Sequence, residues 1–418
     1  MVWFILILIL FLFLVDLAAY AGIRRLFNLQ KKPKSKKIFR LSYWTFSSVY
    51  LLFALVFIII RQNSSAPDYE IYRSYFTLTG SFLLIYMPKI LFAVLVSLEF
   101  LLRMKALFLN RYFKRGIKSV FNRIAVMKFF SWSGLVIAFA GFVLILHGML
   151  IERTNFKTEY VTISYKNLPK SFDGIKIGLI SDMHLGSFYD SLDVRKGIDQ
   201  LMKEKPDIII FDGDLVNNEV AEAVNMENEL KRLHAPLGMY SILGNHDVGD
   251  YRRWKTIEEK NANLNDLINL ENEVGFVVLN NEHTVIRKGS DSIALIGVNS
   301  WGKPPFKKYG RLDIASKGVE DFAFKILLTH NPSHWDAEVA GKHNADLTLS
   351  GHTHAMQLGI NCCGIFWSPI QWMYKHWGGL YNEGNQYLYV SRGFGYLGFP
   401  GRIGMSPELT ILVLKKSE

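Results

Sequence analysis

The chain has 418 residues, half of them apolar, and a formal net charge of +11, enough length for two or three domains and enough apolar material for a large core. The charge is unevenly placed: residues 1–150 hold 19 Lys and Arg against 4 Asp and Glu, whereas residues 151–418 hold 29 against 33. A faintly acidic C-terminal region argues against nucleic acid as a partner, because affinity for a phosphate backbone needs clustered Lys and Arg.

Four apolar stretches, over about 2–23, 43–60, 76–102 and 129–150, precede the change of composition. Each is near or above the roughly 18–20 apolar residues that cross a bilayer as a helix. Residues 1–150 therefore read as an all-α membrane domain of four helices, and 151–418 as a second domain. Ala19-Tyr20-Ala21 has the small-x-small form of a signal cleavage site. No basic segment precedes the first stretch, however, and a basic block from Arg24 to Arg40 follows it, an order that predicts an uncleaved helix with its N-terminus outside. The third connection is also basic (Arg103, Lys105, Arg111, Lys114, Arg115, Lys118, Arg123, Lys128), while the second has only Arg61 and Arg73 against Asp68 and Glu70. Positive connections stay cytoplasmic, so the fourth helix leads outward and residues 151–418 are expected on the outer face of the cytoplasmic membrane. Lys89, in the middle of the third stretch beside Pro88, is expected to pair internally with Asp16, Glu99 or a backbone carbonyl, since an ammonium in lipid is costly.

From about residue 152 the texture becomes that of an α/β domain. Buried strands are predicted over 175–180, 208–211, 239–243, 276–279, 293–298, 326–328, 347–349, 387–390 and 409–414, and helices over 192–203, 221–233 and 254–272. Adjacent Cys362 and Cys363 are the only cysteines. Their spacing of about 3.8 Å between Cα atoms is short for an ordinary disulfide, so they read as two buried free thiols, with a strained vicinal bridge as the alternative.

Polar blocks stand at the C-terminal ends of five of these strands. They are Ser181-Asp182-Met183-His184, Gly213-Asp214-Leu215-Val216-Asn217, Gly244-Asn245-His246-Asp247, His330, and Gly351-His352-Thr353-His354. In open α/β sheets that edge forms the ligand crevice. Asp182, His184, Asp214, Asn245, His330, His352 and His354 supply four imidazoles, two carboxylates and one amide oxygen, too many for one divalent ion but suited to two ions sharing a carboxylate. The donor set favours Mn, Fe or Zn over a soft metal. Two-metal sites clamp both sides of a phosphoryl displacement and lower the pKa of a water between them. His246 is expected to face the substrate and protonate a leaving alkoxide or bond a phosphoryl oxygen, with Asp247 orienting its ring and keeping it charged. His234, His283, His334, His343 and His376 read as ordinary core or surface residues.

The five blocks in this order resemble the calcineurin-like metallophosphoesterase superfamily, and in particular its bacterial membrane-associated branch of YkuE and YaeI type. The resemblance covers about residues 158–416. Ala235-Pro236-Leu237-Gly238-Met239-Tyr240, Ser391-Arg392-Gly393-Phe394-Gly395 and Pro407-Glu408 also look like that branch. It implies a four-layer α/β/β/α sandwich with the site at one edge. It further implies one metal on Asp182, His184 and His354, a second on Asn245, His330 and His352, Asp214 bridging both, and His246 as the catalytic histidine. Many relatives carry Asp where Asn217 stands, and two glycines where Ala355 and Met356 stand. The function expected is hydrolysis of phosphodiester or pyrophosphate bonds by a metal-bridging hydroxide at the membrane, on a lipid-linked or envelope substrate. The family's lipid-active relatives cleave a nucleotide-linked diacylglucosamine on the cytoplasmic side, the opposite face to the one expected here. Gly364-Ile365-Phe366-Trp367 and Tyr396-Leu397-Gly398-Phe399 are candidates to touch acyl chains, or else to pack in the core or rest on the bilayer. A non-catalytic receptor on a degenerate phosphoesterase fold would have lost ligands, and none of the seven is missing. A nuclease is opposed by the acidic second half.

Overall fold

The apolar runs of the first half form helices α1 (Val2–Leu26), α2 (Pro33–Gln62), α3 (Asp68–Phe113) and α4 (Arg123–Leu150) in a computed structural model, which describes residues 2–62, 68–113, 123–304 and 306–418. Each supplies most or all of a segment long and apolar enough to cross a membrane: Leu6–Leu26, Pro33–Arg61, Tyr69–Lys105 and Phe129–Thr154, the last running four residues past the end of α4. A helix meets this requirement because it pairs its own backbone groups where no water is available. α2 begins ten residues before the expected apolar start because Pro33, which lacks an N–H, suits a first helical turn. Of the third basic connection, Lys114, Arg115 and Lys118 lie outside the described residues.

Two polar clusters pin these helices. Lys89 Nζ lies 2.7 Å from Asp16 Oδ1 and 2.9 Å from Ser47 Oγ, while the hydroxyls of Tyr43 and Tyr86 donate to the same carboxylate at 2.9 and 3.2 Å. Glu99, the other carboxylate expected as a partner, instead accepts from Arg25 at 3.2 Å and Ser131 at 2.9 Å. Lys89 is thus paired with Asp16, one of the partners the sequence offered.

The chain divides into two units, Met1–Ala66 with Thr77–His147, and Pro67–Phe76 with Gly148–Glu418. Among the described residues the second unit holds strands β1 (Lys157–Tyr165), β2 (Lys176–Ile180), β3 (Ile208–Phe211), β4 (Met239–Ser241), β5 (Phe276–Val278), β6 (Glu282–Lys288), β7 (Asp291–Gly297), β8 (Lys325–Leu328), β9 (Leu347–Ser350), β10 (Ile360–Cys362), β11 (Ile365–Trp367), β12 (Gly379–Glu383), β13 (Gln386–Val390) and β14 (Glu408–Lys416). Its helices are α5 (Ser191–Lys203), α6 (Ala221–Val224), α7 (Glu227–Leu230), α8 (Ile257–Glu273) and α9 (Leu312–Ala315). One six-stranded sheet has the order β1-β14-β2-β3-β4-β5, the other β12-β13-β9-β8-β7-β6.

Side chains alternate across each strand, and here both faces are apolar. Ile177, Leu179, Ile208 and Ile210 of the first sheet share a core with Leu295, Ile326, Leu328 and Leu349 of the second. The opposite face of the first sheet, with Ile180, Ile209 and Phe211, packs on Val194, Ile198 and Leu201 of α5 and Leu267 of α8. The opposite face of the second, with Ile296, Leu327 and Val390, packs on Leu312 of α9, Trp335 and Val339. Fully burying each such aliphatic chain contributes roughly 1.5–3 kcal/mol. The result is the expected α/β/β/α sandwich.

Capping fixes where the long helices begin. Asp190 accepts from Leu192 N ahead of α5, and Thr256 Oγ1 from Glu259 N ahead of α8. The helix predicted over 221–233 is broken into α6 and α7 at Asn225 and Met226, Asn being a weak helix former. Cys362 and Cys363 are free thiols but exposed, contrary to expectation. They stand on the β10–β11 hairpin, which pairs with neither sheet and so offers them no core.

Candidate metal centre

Strands β2, β3 and β4 are parallel neighbours, as are β8 and β9. Parallel pairing brings their C-terminal ends to one edge, so the five polar blocks meet although they lie up to 170 residues apart. The loops are then tied across one another. Asp182 N donates to Gly213 O at 2.9 Å, His184 N to Asp214 O at 3.1 Å, and Gly351 N to His330 O at 2.9 Å. His352 N donates to Asp182 Oδ1 at 3.0 Å. The approach requires glycine: a Cβ on Gly351 would stand 2.3 Å from Asp182 Oδ2, and one on Gly244 2.1 Å from Asp214 Oδ1.

Two donor triads result. Asp182, His184 and His354 offer one ligand atom each within 4.8 Å of one another, and so do Asp214, His330 and His352. His354 Nε2 lies 3.2 Å from Asp182 Oδ1 and 3.1 Å from His184 Nε2. His330 Nε2 lies 2.9 Å from Asp214 Oδ2 and 3.7 Å from Asp182 Oδ1, and His184 Nε2 lies 3.7 Å from Asp214 Oδ2. Asp214 therefore faces both triads. All these side chains are buried except His352, which is half-buried.

The remaining bonds of these residues aim them. His330 Nδ1 donates to the Asp212 carbonyl at 2.6 Å, which directs Nε2 at the carboxylates. His352 pairs through Nε2 with the Tyr374 hydroxyl at 2.9 Å, leaving Nδ1 as its other ligand atom. Asn245 donates through Nδ2 to Tyr251 at 3.0 Å. Its Oδ1, the atom able to ligate, is buried with no hydrogen-bond partner among the described residues.

Electrostatics point the same way. Burial opposes charge on Asp182 and Asp214, but His354 and His330 beside the first, and His330 and His246 beside the second, hold both well below the usual carboxylate range. Burial pushes His352 down to about 3 and holds His184 well below its ordinary value, with His246 adding to the latter. Burial opposes charge on His330, but Asp214 and Asp182 beside it raise its pKa well above the ordinary value. Imidazoles aimed at paired carboxylates, with an orphaned amide oxygen beside them, form an oxygen- and nitrogen-rich donor set. Such a set fits divalent cations, and buried polar atoms without partners are otherwise costly.

His246 lies beside the centre. Its N–H donates to Asp214 Oδ1 at 2.8 Å and its ring stands 4.9 Å from that of His184. Asp247 does not orient this ring as the sequence suggested. The Asp247 carboxylate accepts from the backbone N–H of Asp214 (2.7 Å), Leu215 (2.8 Å), Val216 (3.2 Å) and Gly244 (2.8 Å), so both oxygens are occupied with main chain. His246 Nδ1 instead donates to the Asn217 carbonyl at 2.8 Å. Because that contact uses main chain, the Asn found in place of Asp at 217 leaves it intact. Burial lowers the pKa of the His246 ring, with the charge of Asp214 opposing.

Sequence reasoning overlooked Tyr251, Tyr374 and Glu222. Glu222 Oε1 and Oε2 accept from the N–H groups of Asn217, Asn218 and Glu219, and burial pushes its carboxyl up to about 7. The two tyrosines follow no motif. Glu222 follows Asp214 by eight residues, a spacing that carries no signal without the loop's conformation.

A family model described as Calcineurin-like phosphoesterase matches residues 175–356. A second, described as Probable Calcineurin-like phosphoesterase, transmembrane domain, matches residues 1–153. The chain is 32% identical over 274 residues to the metallophosphoesterase YkuE of Bacillus subtilis, covering 64% of this chain and 88% of that one. It is 25% identical over 401 residues to the metallophosphoesterase Cj0846 of Campylobacter jejuni, covering 94% and 96%. It is 27% identical over 285 residues to a Danio rerio transmembrane protein with metallophosphoesterase domain, of which it spans 61%.

Proposed function

The chain belongs to the calcineurin-like metallophosphoesterases, which are phosphoric ester hydrolases, as a multi-pass membrane member, and from that premise we propose that it hydrolyses phosphodiester or pyrophosphate bonds at a two-metal site. In this reading residues 1–150 anchor and residues 151–418 catalyse. Asp182, His184 and His354 would hold one ion, Asn245, His330 and His352 the other, and Asp214 would serve both. The ions would supply Lewis-acid stabilisation of phosphoryl charge and a more acidic water. The observation that carries the reading is the pair of donor triads facing a common Asp214, with Asn245 Oδ1 buried and lacking a hydrogen-bond partner among the described residues.

The protein's own groups do the rest. His246, held through Nδ1 by the Asn217 carbonyl, has Nε2 for the substrate and delivers a proton to the leaving oxygen; its lowered pKa makes it a ready donor once charged. Asp247 holds the Asp214 loop and the Gly244 turn as one piece. Manganese, iron and zinc all suit the donors. The basic first and third connections support a site on the outer face of the cytoplasmic membrane, and the substrate class we propose is a lipid-linked or envelope phosphoester.

The test is hydrolysis of chromogenic phosphomonoesters and diesters by the full-length protein with Mn²⁺, Zn²⁺ or Fe²⁺, beside phospholipid-type substrates. Asp214→Ala should lose activity and bound metal together, whereas His246→Ala should lose activity and keep the metal. Full activity in both variants would defeat the assignment. Turnover of soluble diesters with none of any phospholipid-type substrate would remove the lipid reading. A C-terminal reporter active only in the cytoplasm would reverse the topology.

A further inference from the structure

Residues 356–373, between β9 and β12, leave the sheets and present apolar side chains to solvent. Trp372 is 76% exposed, Met373 74%, Ile365 54%, Phe366 43% and Ile360 42%. The β10–β11 hairpin within this stretch contains no buried residue. A two-stranded hairpin alone in water is marginal, and contiguous exposed apolar surface marks a contact with something else. The sequence left open whether Gly364–Trp367 and Tyr396–Phe399 face lipid or core. Tyr396 is buried, with its hydroxyl donating to Ser187 O at 2.9 Å, which leaves the hairpin as the outward surface.

The root of this surface shows what it faces. Gly359 N donates to Ile403 O at 2.9 Å and Ile403 N to Gln357 O at 2.7 Å. The next residue, Arg402, donates its N–H to Gly148 O at 3.2 Å, and a Cβ on Gly148 would stand 2.5 Å from Arg402 O. Gly148 belongs to the same unit and lies within the last membrane span, Phe129–Thr154. The Arg402 guanidinium is fully buried and donates to the carbonyls of Arg392, Gly393, Gly395 and Met405, which fixes this segment against its surroundings. The apolar hairpin therefore springs from a rigid segment that touches the chain where it leaves the bilayer.

We propose that the β10–β11 hairpin, with Trp372 and Met373, rests in the headgroup region of the bilayer as a second contact with the membrane. Tryptophan prefers that level, and apolar side chains enter it by about 5–10 Å. The contact reaches the metal centre directly: Tyr374, next to Met373, is the residue whose hydroxyl pairs with His352 Nε2. The docked surface holds that tyrosine beside the lipid headgroups. This proposal concerns the surface and stands apart from whether the centre cleaves phosphoesters.

The chain provides its own reporter, since its only two cysteines sit at the hairpin tip and are exposed. Cys363 and Gly364 both have positive φ, 55° and 79°, a two-residue turn in which Asn-Gly is favoured. Cys363→Asn thus leaves Cys362 alone for a bimane label in the full-length protein. After reconstitution into phosphatidylcholine–phosphatidylglycerol vesicles, nitroxide placed near the headgroup on the acyl chain should quench the label and aqueous iodide should not. Trp372→Ser with Met373→Ser should lose the lipid quenching. A label at exposed Lys317, introduced as Lys317→Cys with both native cysteines replaced, should show the reverse pattern. A Cys362 label as open to iodide as the Lys317 one would overturn the proposal. So would shielding from both quenchers, which would mean that a protein covers the surface. None of these readings requires turnover, so an inactive centre would leave them unchanged.

Discussion

Replacing Gly244 with alanine isolates the close approach of two loops from every other property of the site. Gly244 does not occupy the left-handed region, so alanine can adopt its backbone conformation and the effect is steric. The new Cβ would lie 2.1 Å from Asp214 Oδ1, 2.7 Å from Asp214 Cγ and 2.6 Å from Asp214 N. Ordinary carbon contacts are about 3.5 Å, so the carboxylate and the turn must separate by roughly 1 Å. Asp214 is held on one side by His330 Nε2 at 2.9 Å and on the other by His246 N at 2.8 Å, and it cannot move that far and keep both. A misplacement of about 1 Å costs on the order of 100-fold in rate, equivalent to about 2.7 kcal/mol. The expected outcome is a loss of that size in kcat/KM for a chromogenic diester, with reduced metal content and a modest fall in melting temperature. A variant that turns over at the wild-type rate with its full metal complement would refute the claim that the shared carboxylate is positioned by this contact.

Tyr251→Phe removes the hydroxyl that aims Asn245 while keeping a ring 4.5 Å from that of His246; metal titration should show one ion bound roughly 10–100-fold more weakly, and unchanged affinity for both would count against the role given to Asn245. Glu271, buried on α8 near Asp247, has its carboxyl pushed up to about 8 by burial and then by Asp247. Its proton is held in the folded state after the unfolded chain has lost it, so its stabilising contribution is full below about pH 4.5 and is lost as pH rises to about 8, with a slope of up to ~1.4 kcal/mol per pH unit. Glu271→Gln should therefore flatten the melting temperature between pH 5 and 8 and exceed wild type at pH 9; identical pH profiles would contradict this. Removing divalent ions with a chelator should lower the melting temperature, since an ion at about 100 times its Kd stabilises the folded state by about 2.7 kcal/mol, and restoration by Mn²⁺ or Zn²⁺ should follow.

Most strands legible in advance are buried on both faces, such as Ile208–Phe211 and Leu347–Ser350, whose short unbroken apolar runs suit a strand covered from both sides; β5, at a sheet edge, was legible from its apolar run Phe276–Leu279. Those overlooked lie at sheet edges or off the sheets. β1 and β6 carry polar residues toward solvent, and β12 begins at a glycine with positive φ, so their periodicity competes with that of a loop. The site was legible because strand ends announce themselves, and motif order then supplied the candidate ligands. What the residues could not convey was who holds whom. Asp247 adjoins His246 in sequence yet points into four main-chain N–H groups, because a tight turn sends consecutive side chains in different directions.

The backbone at the centre explains why such bracing is needed. Asp182, His184, Asp214, His352 and His354 all have positive φ, between 47° and 71°, and Ala355 and Met356 follow at 47° and 56°. Asp and His tolerate this region better than most residues, but each such position still costs on the order of 1–3 kcal/mol and persists only where the surroundings fix it. The surroundings here are specific: Asp247 with four accepted N–H bonds, Glu222 with three, and Asp182 accepting from His352 N. Buried carboxylates thus divide into two kinds. Asp182 and Asp214 are kept ionised by histidines and face the ions' place. Asp247 and Glu222 have their pKa values raised to about 7 and face main chain. The second kind holds the strained loops in the conformation that lets the first kind converge.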